Sequence, residues 1–297
     1  MPPAFDLTLH IGAHKTATSH FQRSLRLNRA LLADFGTDIY VPKDLRNRTE
    51  GIWDLVDLDG NREEARNTFT GLLKDGNHLF LSEENLLRQA HPLNGAMPGV
   101  LYPYATEWVR KLSFILPETR LTLAISIRDY ARFYRSLYAQ RLLAGHVMSF
   151  EGFLRQACYP NGSWLEMLTR LVSLRIVKEI VLWRFEDYGA LRGAILQYLF
   201  PRCDGSKFVW SDRRLNQTLS QRAMAELTES LTKDELRQDT QDNRKMHAQD
   251  MRKLYPVGDM HSVWDPWSAQ EREASTQRYA RDVSQIAQLA KVTYLTP

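Results

Sequence analysis

Cysteine is scarce in this chain. Its two cysteines among 297 residues, Cys158 and Cys203, lie far apart and provide neither a disulfide framework nor a thiolate metal site of CxxC spacing. Such a composition suits a reducing compartment. No apolar run approaches the roughly 20 residues that a membrane-spanning helix needs. The stretch "MPPAFDLTLHIGAHK" has no basic leader and no long apolar segment, so neither a secretory signal nor a membrane anchor is expected. The expectation is a soluble, cytoplasmic protein without integral membrane association. Charge of one sign is also lacking: 39 Lys and Arg stand against 35 Asp and Glu, a formal net of +4. That balance favours small anions and falls short of a nucleic-acid-binding composition, so no nucleic-acid partner is expected. Internal repeats and low-complexity tracts are absent, as is an Asp/Glu cluster of the kind that holds Mg²⁺, so no metal site is expected.

What is present is enough apolar material for a substantial core, 43% of residues. Short apolar runs predict strands at 5–11, 37–42, 78–82, 120–128 and 179–185. Helical periodicity lies between them, at 17–33, 61–74, 104–116, 130–143, 150–156, 163–176 and 188–200. Strand and helix alternating without hairpin signals predict an α/β fold, a doubly wound and mainly parallel sheet with helices on both faces. After residue 205 the chain is more polar and mainly helical, with segments near 216–231, 233–251 and 268–290. We expect one domain over 1–297, with an α/β core at 1–205 and a helical C-terminal cap at 206–297. The aromatic stretch "HSVWDPW", residues 261–267, is expected to pin the cap in place.

The stretch "LTLHIGAHKTATSHFQRSL", residues 7–25, runs from a strand through Gly12 and Lys15 into an amphipathic helix. Ligands of open parallel sheets bind beyond the carboxyl ends of the strands, and this loop sits at such an end. Gly12 permits a backbone conformation that other residues resist. The amides that follow, through Thr18 and Ser19, form a helix N-terminus that attracts anions. Lys15 adds a point charge, and Thr16, Thr18 and Ser19 add hydroxyl donors. The competing reading is that the hydroxyl residues merely cap the helix, which leaves Lys15 without a role. The Walker phosphate loop, GxxxxGK[ST], is not matched, because only Ala13 and His14 separate Gly12 from Lys15.

The segment KTATS resembles the 5′-phosphosulfate loop of the PAPS-dependent sulfotransferase superfamily, KxGT(T/S), in the bacterial carbohydrate or small-molecule type. Those enzymes share a P-loop kinase-like fold and use 3′-phosphoadenosine 5′-phosphosulfate (PAPS) as sulfuryl donor, without a metal. Ala17 stands where the family has glycine, which predicts an ordinary helical backbone there. The resemblance extends to "AISIRDYARFYRSLYAQ", where Arg128 ends a strand and Ser136 follows eight positions later on a helix. In the family this pair grips the donor's 3′-phosphate. "LWRFEDYGALRGAILQYL" is a weaker echo, and the likeness spans roughly residues 7–200.

The resemblance implies a donor site of Gly12, Ala13, Lys15, Thr16, Ala17, Thr18, Ser19, Arg128 and Ser136. His20 takes the place of an adenine-stacking tryptophan, against a plain helix-surface role. Lys253, in "MRKLYP", matches a basic segment that reaches the 3′-phosphate in some relatives. Lys15 is the cation expected to stabilise the leaving phosphate. For the general base, Glu83 in "LFLSEENLL" comes first, Glu50 in "RNRTEGIWDL" second, and His14 third, the last either touching the sulfuryl group or supporting the loop. The acceptor would be a hydroxyl or amine on a saccharide, lipid or small molecule. Trp53, Tyr102, Tyr104, Trp264 and Trp267 either line its cleft or anchor loops. Two alternatives stay open, a P-loop nucleotide-dependent phosphotransferase and a non-catalytic nucleotide-binding relative.

Overall fold

In the computed structural model, residues 5–46, 62–73, 78–87, 90, 99–116, 119–157, 159–212, 218–232 and 238–297 are described. Six strands form one sheet: β1 (Asp6–Gly12), β2 (Thr37–Tyr40), β3 (His78–Ser82), β4 (Arg120–Ile127), β5 (Val177–Arg184) and β6 (Val292–Tyr294). Their order is β2-β3-β1-β4-β5-β6 and all pairings are parallel. The doubly wound parallel α/β class expected from the sequence is the one observed. The order reverses direction at β1, whose neighbours β3 and β4 lie on opposite sides, so the crevice of a doubly wound sheet opens beyond Gly12.

The helices follow in chain order: α1 (Thr18–Leu27), α2 (Arg29–Asp34), α3 (Pro42–Arg46), α4 (Arg62–Thr70), α5 (Ala105–Ile115), α6 (Tyr130–Leu143), α7 (Phe150–Gln156), α8 (Trp164–Val172), α9 (Tyr188–Leu199), α10 (Gln221–Thr232), α11 (Gln241–Leu254) and α12 (Ala269–Ile286). Side-chain caps start several of them. Asp129, Ser149, Ser163 and Thr240 accept the first-turn amides of α6, α7, α8 and α11. Ser163 with Glu166 three residues on has the spacing of a capping box.

The backbone divides into two compact units. The first comprises residues 1–128, 162–213 and 281–297, and it contains the whole sheet. In its core, Phe21 and Leu25 of α1, Leu32 of α2 and Leu191 and Ile195 of α9 pack on Phe80, Ala124, Val181 and Trp183 of the sheet. Each such aliphatic or aromatic side chain contributes about 2 kcal/mol of burial. The second unit comprises 129–161 and 214–280. Within it Trp267 Nε1 donates to the Ala131 carbonyl at 2.9 Å, and Trp264 packs on Tyr138 and Phe150, so the aromatic stretch anchors to α6 and α7.

Several details depart from the sequence reading, among them α3, which falls where a strand end and a loop were expected, and α11, which starts at Gln241 within the helix expected over 233–251. The helix expected over 17–33 breaks at Asn28, whose side-chain amide donates to the Ser24 and Val209 carbonyls while its oxygen accepts the Val209 amide. A side chain satisfying three backbone groups holds its own residue out of the helix. The three-residue β6 was not anticipated. It pairs with Ile180–Leu182 of β5.

Candidate active site

The loop from Gly12 to Ser19 is built from left-handed backbone. Gly12 has φ +102°, and a Cβ there would stand 3.2 Å from the Glu84 Cβ. Lys15 and Ala17 both have φ 65°. The ordinary helical backbone expected at Ala17 is therefore corrected: Ala17 is in the left-handed region with ψ 18° and is the N-cap residue of α1. Turning the chain from β1 into α1 within five residues requires positive φ at this point, and alanine adopts it at a cost of about 1–2 kcal/mol. The substitution leaves the glycine-type geometry in place.

Helix α1 starts without a side-chain cap. Thr16, next to the turn, is buried, and its hydroxyl donates back to the Ala13 carbonyl at 2.6 Å. Thr18 is also buried and Ser19 is half-buried. Thr16 thus ties the loop to itself, and α1 begins after Ala17 with no side-chain cap bond. Ala13, fully buried, ties the loop to β4 through its amide and the Ser126 carbonyl, 2.9 Å.

Arg128 joins this loop from 113 residues away. Its Nη1 donates to the Lys15 carbonyl at 2.9 Å, its guanidinium lies 4.3 Å above the Phe185 ring, and its own carbonyl accepts Trp164 Nε1 at 2.8 Å. Two of the segments singled out in the sequence thus meet at the carboxyl end of β1 and β4. Ser136 is buried on α6, in the second unit. Lys253 belongs to the same unit, exposed on α11 and paired with Asp250 at 3.1 Å.

His14 is held by Tyr102. The Tyr102 hydroxyl accepts the His14 amide at 3.1 Å and bonds His14 Nδ1 at 2.9 Å. Nε2 faces the acceptor Asn85 Oδ1 at 3.4 Å, which places the ring proton on Nε2 and makes Nδ1 the acceptor of the Tyr102 hydroxyl. Burial pushes the His14 pKa below the ordinary value, Glu84 and Asn85 act upward, and Lys15 and Arg46 act downward. A neutral imidazole with Nε2–H outward, beside Lys15, is a hydrogen-bond donor. Tyr102 is itself fully buried at φ 50°.

The carboxylates after β3 have different surroundings. Glu83 is fully buried, in the fork of Arg46, with Nε at 2.9 Å and Nη2 at 2.5 Å, and it also accepts the Asn85 amide at 3.1 Å. Glu84 is one-fifth exposed by its side chain, accepts Gln22 Nε2 at 2.8 Å, and packs its Cβ against Gly12. Glu50 lies outside the described residues. His20 uses both nitrogens: Nε2 donates to the Ser211 carbonyl and Nδ1 accepts the Tyr188 hydroxyl, each at 2.8 Å, with the ring stacked on Trp210. Beneath the loop, His10 is buried against Phe21 and Trp183 and bonds Ser82 at 2.7 Å; burial takes its pKa down to about 4. Arg46 and Glu84 are the members that sequence reasoning did not assign, while Tyr102, named as cleft-lining or loop-anchoring, holds the His14 loop. Glu84 alone carried a signal, as a carboxylate at the ligand edge of a parallel strand.

Among the described residues no group of three or more His, Cys, Asp or Glu is arranged to hold a metal. No helix among them is long and apolar enough to cross a membrane.

Neither a protein-family model nor a curated protein matches the chain. Solved structures similar to it include a sulfotransferase from Alicyclobacillus acidocaldarius, 12% identical, covering 85% of this chain and 96% of that one with a TM-score of 0.45. Two structures of retinol dehydratase, one with androsterone and inactive cofactor PAP and one with retinol and PAP, are 14% and 12% identical with TM-scores of 0.34. Both cover 100% of this chain, and 84% and 85% of their own. Similarity at this distance is not a basis for function, which has to come from the residues of the loop.

Proposed function

We propose that this chain is a sulfotransferase that moves a sulfuryl group from PAPS to a hydroxyl or amine of a saccharide, lipid or other small acceptor. The observation that carries the proposal is the loop itself: left-handed backbone at Gly12, Lys15 and Ala17 leading into an α1 terminus without a side-chain cap, with Arg128 tied to its backbone. The resemblance of KTATS to a phosphosulfate loop, and the missing Walker glycine, favour this donor over ATP.

The loop fits the donor. Gly12 keeps the strand end free of a side chain, and the residues that follow offer amides, hydroxyls and one ammonium group to an anion. Bound PAPS would supply an electrophilic sulfuryl group with 3′,5′-ADP as its leaving group. Lys15, Thr18 and Ser19 would hold the 5′-phosphosulfate, with Thr16 offering its backbone amide because its hydroxyl donates to the Ala13 carbonyl, and Arg128 adds a planar fork of donors next to them. Lys15 sets a positive charge where negative charge grows as the leaving group departs. His14, neutral, donates from Nε2 and stabilises oxygen charge, a role that the Nε2–H tautomer facing Asn85 supports over that of base. Glu84, with access to solvent beside Gly12, takes the acceptor's proton in this scheme, while Glu83 positions Arg46.

Thermal-shift measurements with 3′,5′-ADP and with ATP plus magnesium test the donor, since a ligand that binds only the folded state stabilises it by RT ln(1 + [L]/Kd) and so raises the melting temperature. Stabilisation by 3′,5′-ADP is expected, lost in Lys15→Ala with the ligand-free melting temperature unchanged. A response to ATP plus magnesium and none to 3′,5′-ADP would refute the assignment. Incubation with labelled PAPS and cell extract, followed by mass detection of sulfated product, then identifies the acceptor.

A further inference from the structure

The opposite end of the sheet carries a second cavity. It has a volume of about 430 Å³ and lies among the amino-terminal residues of β1, β3, β4 and β5 and the turns that follow α2 and α9. The length of β1 separates it from the Lys15 loop, about 20 Å at the usual strand rise. All of its lining belongs to the first unit.

The sheet face that floors this cavity changes character along its strands. In the register of the carboxyl half, His10, Ala124 and Val181 lie under α1 and α9. Two residues earlier the same face presents Thr8, Thr122 and Glu179. Two earlier again it presents Thr37, His78, Asp6 and Arg120. Parallel sheets covered on both faces are ordinarily apolar throughout. Here the polar rows coincide with the cavity, and they are internally organised: His78 bonds Thr8 at 2.8 Å and Thr37 at 3.2 Å, and burial lowers its pKa, keeping it neutral.

Around the rim stand Arg120, Lys178 and Arg202, all exposed, none within ion-pair distance of a carboxylate among the described residues. Glu179 is engaged by Thr293 and Tyr198, both at 2.5 Å. Three cations against Asp6 and Glu179 leave one positive charge in excess. The opposite wall is apolar, formed by Leu32, Phe35, Leu199 and Phe200.

We infer that this cavity is a second binding site, for a small organic monoanion with a flat apolar body. Its acidic group meets Arg120, Lys178 and Arg202, its apolar part lies on Phe35 and Phe200, and the threonine floor supplies hydroxyl contacts. The volume is within the range of small-molecule sites. One negative charge matches the excess of the rim. The inference does not depend on the donor assigned to the Lys15 loop.

The test is titration of the full chain with 2-naphthoate, by calorimetry and by ¹H–¹⁵N NMR, with 2-naphthylmethylammonium as the counter-probe. Saturable binding of naphthoate with a Kd below about 1 mM is expected, with weak or no binding of the ammonium compound. Shifted amides should cluster at residues 6–8, 35–37, 120–122 and 198–203 and spare 12–19. Thr122→Phe, which fills the floor, should abolish the binding. Arg202→Glu, on the exposed rim where folding is not at risk, should weaken it by about tenfold. Absence of saturation, equal binding of the two probes, shifts confined to the Lys15 loop, or undiminished binding by Arg202→Glu would each overturn the inference.

Discussion

Replacing Arg46 by alanine leaves the Glu83 carboxylate buried without the cation that faces it. Glu83 exposes 1% of its side chain and Arg46 exposes 48%, so the two partners of this bidentate pair are not equivalent. Without Arg46, the carboxylate keeps the hydrogen bond from the Asn85 amide, at 3.1 Å. Uncompensated buried charge costs 3–5 kcal/mol, and the open side left by Arg46 admits some water, so Arg46→Ala is expected to cost about 3 kcal/mol. Glu83→Gln preserves the shape and removes the charge. The guanidinium, already half in solvent, hydrates, and the cost falls to about 1 kcal/mol. In the double variant no charge is stranded, so it should be more stable than the sum of the two singles by about 2 kcal/mol. Urea unfolding at pH 7, with the midpoint read at constant slope, measures all three. Additive losses, or a smaller loss for Arg46→Ala than for Glu83→Gln, would refute the claim that Glu83 is a buried anchor. A further variant reports on catalysis: Glu84→Gln should lower kcat far more than Glu83→Gln when both are compared at equal folded fraction.

Ala17→Gly should stabilise the protein by about 1 kcal/mol in the same denaturation assay, because the left-handed φ of 65° is strained for alanine and the relief outweighs the added freedom of the unfolded chain. Stability should also fall on acidification. His10 is neutral in the folded chain, so the unfolded state binds the extra proton below 6.5, and stability present above that pH is lost as it falls toward 4. That interval amounts to roughly 3 kcal/mol for His10, and His10→Gln should flatten the decline. Tyr102→Phe removes the acceptor of the His14 amide and the donor to Nδ1. It should cost about 1–2 kcal/mol and release the fixed tautomer, visible in the ¹⁵N shifts of the His14 ring.

The strands were legible because a parallel sheet covered on both faces writes itself as short apolar runs, and "RLTLAISI" or "HLFLS" admit little else. β6 escaped for the converse reason. Three half-buried residues at a sheet edge carry no run long enough to read. Asn28 looked like one more polar residue of an amphipathic helix, because its effect depends on Val209, 181 positions later.

Within the site, the distinction is between residues that act through the local chain and residues that act through the fold. Gly12, Lys15 and the threonines sit together in sequence, and Arg128 ends a readable strand, so the loop and its arginine could be named in advance. Arg46 could not, and Tyr102 was legible only as an aromatic that lines a cleft or anchors a loop, without its partner. Each reaches its partner across a separation, 88 residues to His14 and 37 to Glu83, that no local pattern encodes. Ala17 shows the limit from the other side. Alanine at a motif's glycine position predicts helical backbone when propensity is read locally, yet the dihedrals are those glycine would take. What fixes them is the closure of the loop on its neighbours: the Ala13 amide held to β4, the Thr16 hydroxyl turned onto the Ala13 carbonyl, and the Arg128 guanidinium on the Lys15 carbonyl. These three bonds over-determine the turn, so the side chain at 17 changes its energy and leaves its shape.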